Sequence, residues 1–261
     1  MDIMESSVYV VDAEAGTDDC GGGDDADVGL DRILGRGAVA RRTFLGLKNG
    51  AQFLNLEDAH LRAIPIANLG VDVIALANRM SSGKMAVYAS VILENIGDVS
   101  RKTAHNGPGA LVISPTREIA CQACRVFETL ALYAENEFRC RVCVGGSPLA
   151  QDSRALTENG GAHVVCATPG RAVQLIGERM LRTELVRILV LDGADSLLAD
   201  SFRATTRRVL ESLPRRKQVM VFAESFSEAF LARATSIMHE PQLMRLRKTD
   251  PGDGSLSCTI R

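Results

Sequence analysis

From residue 71 onward, short apolar runs alternate with longer amphipathic segments almost to the end of the chain. VDVIAL is followed by GKMAVYASVILENI, ALVIS by REIACQACRVFETLALYA, CRVCV by PLAQDSRALTE, and HVVCA by GRAVQLIGERM. RILVL then precedes SFRATTRRVLESL, QVMVF precedes SEAFLARATSIM, and QLMRL closes the series. Apolar runs of this kind, rich in β-branched residues and spaced by helix-length segments, predict βαβ units. The expected fold is therefore α/β, a doubly wound, mostly parallel sheet flanked by helices. Upstream, residues 30–66 read as short helices broken by glycine.

Composition supports this picture. Hydrophobic residues make up 46% of the chain but aromatics only 4%, without a tryptophan. The core must then be built from Ala, Val, Leu and Ile, as in parallel strands buried on both faces. Net charge is −2, yet ten of the 32 acids lie in residues 1–31, a stretch with no Lys or Arg. The remaining 22 acids face 30 bases, a mildly basic body behind an acidic tail. Such a body suits a polyanionic partner, and such a tail is expected to be disordered and to compete with that partner. The expected organisation is a tail over 1–31, one lobe over 32–247 and a short tail over 248–261. No stretch approaches the roughly 18 apolar residues of a membrane span. The acidic start also matches neither a secretory signal nor an Arg-rich transit peptide, so the expected location is the cytoplasm or nucleus.

Seven cysteines point to free thiols in a reducing compartment. Cys121, Cys124, Cys140 and Cys143 have a spacing, C-x2-C-x15-C-x2-C, that zinc sites use. Their context opposes it. The first pair lies in a helical pattern and the second in a strand, where residues three apart point to opposite faces. The expectation is buried thiols and no zinc. His60, His105, His163 and His239 are scattered and form no ligand set.

In sheets of this type ligands bind beyond the C-terminal ends of the strands, where loops enter helices. In MSSGKM, Ser81, Ser82 and Gly83 are small enough to turn backbone amides toward phosphate, and Lys84 would pair with its charge. Met85, however, offers no oxygen to a magnesium ion, and Asn78 stands where such a loop wants Gly or Ala. Pro115, Thr116 and Arg117 open one helix; Thr168, Pro169, Gly170 and Arg171 open another. Proline in a first turn costs no hydrogen bond, and the free amides there can receive a phosphate. Gly145 and Gly146 permit close approach of backbone. LDGAD ends a strand with Asp192 and Asp195 around Gly193.

The series MSSGKM, PTREIA, GG, TPGR and LDGAD, in this order on successive strand ends, resembles the first RecA-like lobe of DEAD-box RNA helicases from about residue 40 to 247. The resemblance implies a P-loop lobe using ATP and Mg²⁺, with single-stranded RNA held by its sugar–phosphate backbone and little base specificity. Pro115, Thr116, Arg117, Gly145, Gly146, Thr168, Pro169, Gly170 and Arg171 would hold the RNA. Within the family, the run from GGSPLAQD to HVVCATPGR is most similar to a subunit of a ribonucleoprotein assembly complex, which adds such a complex as an expected partner.

The same comparison marks departures. Gly193 replaces the acid that activates water, whose loss typically costs about 10²–10⁴-fold. His60 falls at the adenine-reading glutamine, and Phe44 at the upstream aromatic. Ala223, Glu224 and Ser225 replace the Ser-Ala-Thr coupling motif. Asp192 remains as a weak metal ligand and Asp195 as a remnant, so no catalytic set is intact. RLRKTDPGDGSLSCTIR resembles the start of the interlobe linker, so the expectation is a single lobe without the second lobe's arginine fingers. Three readings stay open: a non-catalytic RNA- or complex-binding module, an ATP-binding protein with partner-dependent ATPase, or a truncated paralogue without function.

Overall fold

The computed structural model describes residues 58–77, 82–97, 107–132, 138–225 and 227–246. The acidic tail, residues 32–57 with Phe44, Asn78, Ser81, His105 and the segment 248–261 lie outside the described residues, as do the side chains of His60 and Ser82.

Chain order runs α1 (Asp58–Ala67), β1 (Val73–Leu76), α2 (Ser82–Gly97), β2 (Ala110–Ile113), α3 (Arg117–Leu132), β3 (Cys140–Cys143), α4 (Leu149–Thr157), a 3₁₀ turn (Glu158–Gly160) and β4 (Val164–Ala167). It continues with α5 (Pro169–Gly177), β5 (Ile188–Asp192), α6 (Ala194–Leu197), α7 (Asp200–Glu211), β6 (Gln218–Ala223), α8 (Glu228–Thr235) and β7 (Gln242–Arg245). Each apolar run of the sequence is thus a strand. The seven strands form one sheet in the order β3-β4-β2-β5-β6-β1-β7, with every pairing parallel.

Helices cover both faces, and successive strand residues alternate between them. Val73, Ala75, Val112, Val190 and Phe222 join a core with α1–α3. Ile74, Leu111, Leu189, Leu191 and Val221 join a second core with α5–α8. Alternation also separates the cysteines of β3. Cys140 packs in the first core and Cys143 in the second. Cys124, Cys140 and Cys166 meet as buried thiols, with 3.6 Å between the sulfurs of Cys140 and Cys166. Burial pushes the Cys143 thiol up to about 12, which leaves it protonated and unreactive. Among the described residues, no group of His, Cys, Asp and Glu is arranged to hold a metal. None of the described helices is long and apolar enough to cross a membrane.

Candidate functional site

Strand alternation also sets the chemistry at the sheet's C-terminal edge. Ile188 and Val190 face the α1–α3 layer, so Asp192, two residues further on, faces it too. There it meets α2. Lys84 Nζ lies 2.6 Å from Asp192 Oδ1, with side-chain exposures of 2% and 0%. One turn along the helix, the Tyr88 hydroxyl donates a 3.0 Å hydrogen bond to Asp192 Oδ2. Burial raises the Asp192 carboxyl above the usual range, while Lys84 and Tyr88 pull it back. Burial, followed by the Asp192 charge, holds the Tyr88 phenol well above its ordinary value. Tyr88 packs edge-on against Phe222, its ring centroid 5.3 Å away. Tyr88 was not singled out in the sequence, although its i+4 spacing from Lys84 was the available signal.

Met85 is fully buried in the core between the sheet and α1–α3. Gly83 is buried beside it. Gly193 adopts a left-handed conformation, φ 82° and ψ 45°, as the N-cap of α6. A Cβ there would lie 3.1 Å from Cγ and Cδ of Pro115. Gly193 thus turns the chain where β5 meets α6, with the proline of the neighbouring loop against it. Asp195 Oδ1 accepts the backbone N–H of Glu224 at 3.2 Å, tying α6 to the end of β6.

A second feature lies across this edge. Pro115, Thr116, Arg117, Gly145, Thr168, Pro169 and Gly170 line one open groove of about 400 Å³, together with Glu118 and Phe202. The N-termini of α3 and α5 point into it, with Thr168 at the N-cap position of α5, its hydroxyl making no capping hydrogen bond, and Pro169 at the first helical position. Gly146, at φ 95°, sits under the Arg117 guanidinium, where a Cβ would lie 2.7 Å from one of its nitrogens. The absent side chain is what lets the guanidinium lie on the Gly145–Gly146 turn.

Arg171 is placed differently from the rest of this set. Its side chain is buried, with Nε 3.4 Å from Asp152 Oδ2. It also donates a hydrogen bond to the Ser147 carbonyl. Its charge is therefore turned away from the groove, locking the glycine loop to α5. Phe202, half-buried at the start of α7, escaped the sequence reading because it lies in an otherwise polar helical pattern.

A doubly wound lobe with a lysine–aspartate pair at its central strand ends and a groove of helix N-termini beside it is a RecA-like α/β lobe. Residues 57–229 match the DEAD/DEAH box helicase family model. The chain belongs to the DEAD/DEAH box helicase family. It is 32% identical over 213 residues to the ATP-dependent RNA helicase eIF4A of Yarrowia lipolytica, a match covering 79% of this chain and 51% of that protein. Mouse "Probable ATP-dependent RNA helicase DDX20" is 31% identical over 214 residues, covering 82% of this chain and 25% of that protein. The chain therefore spans about half the length of the first relative and a quarter of the second. In fold it is similar to a DEAD box protein from the hyperthermophile Methanococcus jannaschii, with a TM-score of 0.68 and 24% identity over 79% of this chain and 53% of that one.

Proposed function

We propose that this chain is an RNA-backbone-binding DEAD-box lobe whose nucleotide site has closed on itself. The reading is carried by the contrast between an open groove and a sealed ion pair on the same sheet edge. The groove collects every residue expected to hold RNA except Gly146 and Arg171. The lysine expected to meet phosphate is buried and lies 2.6 Å from the aspartate expected to meet metal.

The residues present do not fit Mg²⁺ and ATP. Met85 offers no oxygen and is committed to the core, and Asp192 is enclosed by Lys84 and Tyr88. Gly193 supplies no carboxylate for activating water. Calorimetry of the full chain with ATP is expected to show no gain in affinity on adding Mg²⁺, and phosphate release no stimulation by RNA. A turnover that rises with RNA and co-elutes with the chain overturns this half of the proposal.

For RNA, backbone amides at the two helix N-termini and the Arg117 guanidinium receive phosphates. Phe202 offers a ring on which a base can stack without sequence preference. Single-stranded RNA is expected to bind more weakly as salt rises, because bound counterions are released. Arg117→Ala should weaken binding alike on all sequences and reduce the magnitude of the log–log salt slope by about one. Arg171→Ala acts through structure. It strands the Asp152 carboxylate, lowering stability by about 1–3 kcal/mol, and loosens the glycine loop. Fluorescence anisotropy over a salt series, paired with urea melts, separates the two. Salt-independent binding, or an Arg117→Ala protein identical to wild type, removes the groove from consideration.

A further inference from the structure

We propose that the groove between α7 and α8 is the docking site for this chain's own acidic N-terminal segment, residues 1–31. This groove, also of about 400 Å³, lies beyond α7 from the one assigned to RNA. Its apolar floor is formed by Leu198, Leu210 and Ile237. Around them stand Arg203, Arg207, Lys217 and Arg233, with Glu211 as the one acid of the lining.

Two carboxylates at the edge are already used. Glu211 pairs with Arg207 at 2.7 Å, and Asp200, 84% exposed, lies 3.4 Å from Arg233. Arg203 is exposed and has no carboxylate partner among the described residues. Lys217 donates to the Pro214 carbonyl at 3.0 Å, leaving its ammonium half-buried without a carboxylate bound to it. Partial burial of that ammonium lowers its pKa from the ordinary value, against the weaker pull of the Asp72 charge. An incoming carboxylate would relieve that penalty.

The segment has the matching pattern. Asp2, Glu5, Asp12 and Glu14 are interleaved with Ile3, Met4, Val8, Tyr9, Val10 and Val11, so one stretch offers acids for the rim and apolar side chains for the floor. The RNA groove is the poorer match, since its lining holds one cation, Arg117, against one carboxylate, Glu118. The linker of residues 32–57 that joins the segment to α1 spans about 40 Å even if wholly helical and at most about 90 Å if fully extended. Tethering raises the local concentration to about the millimolar range, so even a weak contact is occupied. The docking does not rest on the RNA reading. If both hold, the docked carboxylates lie near the RNA groove, because Phe202 lines one groove and Arg203 the other.

Hydrogen exchange of the full chain, read by mass spectrometry without RNA, tests the assignment. Amides of residues 1–14 are expected to exchange at least about tenfold more slowly than an unstructured chain at low salt, and to lose that protection at high salt. The pair Arg203→Glu and Arg207→Glu should abolish it while exchange in β2 and β5 stays unchanged. Removing the four acids of residues 1–14 with Asp2→Asn, Glu5→Gln, Asp12→Asn and Glu14→Gln, which leaves the lobe untouched, should abolish it too. Unprotected amides in the wild-type chain at low salt overturn the proposal. So does protection that survives the Arg203/Arg207 change but is lost in Arg117→Glu, which places the segment over the other groove. Protection that grows with protein concentration assigns the occupant to a second copy and overturns docking within one chain.

Discussion

Asp192→Ala is expected to lower the unfolding free energy by about 3–5 kcal/mol, the cost of breaking a buried ion pair by removing one partner. The reason lies in what is left behind. Lys84 has 2% side-chain exposure and sits in the first turns of α2, with Asp192 as its counter-charge. Without that carboxylate the ammonium loses the charge that faces it at 2.6 Å and must either stay buried without it or drag the helix start toward solvent. Removing both charges with Lys84→Met and Asp192→Leu should recover most of the loss, since apolar groups of similar volume often replace a buried pair at little cost. Tyr88→Phe removes one hydrogen bond to the carboxylate and should cost about 1–3 kcal/mol. Urea denaturation of the four proteins measures all three values. An Asp192→Ala protein within about 1 kcal/mol of wild type would mean that Lys84 reaches water freely. It would then be available to phosphate, and the sealed-site reading would fail with the stability prediction.

The second large effect concerns repair. On the sequence alone, Met85→Thr with Gly193→Glu restores a hydroxyl for magnesium and a carboxylate for water, and is expected to bring back metal-dependent nucleotide affinity. The structure argues for the opposite result. Met85 is fully buried among the α1–α3 core residues. Shortening a buried methionine leaves a cavity worth about 2–5 kcal/mol, and a threonine hydroxyl there lacks water. A residue with a Cβ at position 193 must hold φ near 82°, which costs about 1–2 kcal/mol. Its Cβ also presses on Pro115 at 3.1 Å. The double variant should therefore unfold at lower urea, by about 4 kcal/mol if the two changes add, with no gain in Mg²⁺-dependent ATP affinity. Calorimetry on the folded fraction decides it. A clear metal-dependent gain would show that the loop reshapes around the new side chains.

The glycine at 193 thus has two meanings. In the sequence it reads as a missing acid. In the structure it is also the residue whose left-handed backbone makes the turn from β5 into α6. Arg171 changes in the same way, from a candidate phosphate ligand to a buried partner of Asp152.

The seven strands were legible because each is an apolar run bounded by turn residues, and their parallel arrangement because a helix-length segment separates each from the next. The family was legible because its motifs are local, a few residues at a strand end. Most of the groove proposed for RNA followed, since Thr116 and Thr168 sit at helix starts that short-range patterns reveal. What the sequence could not determine was which strands would be neighbours, and which face each residue would take. Strands buried on both sides are apolar throughout, so no polar alternation marks the face of Asp192. The pairing of Lys84 with a carboxylate 108 positions away, the Tyr88 hydroxyl beneath it, the sign of φ at Gly193 and the sinking of Arg171 were decided only when the sheet closed. Each depends on long-range packing, where one polar atom is placed by residues that share no local pattern with it.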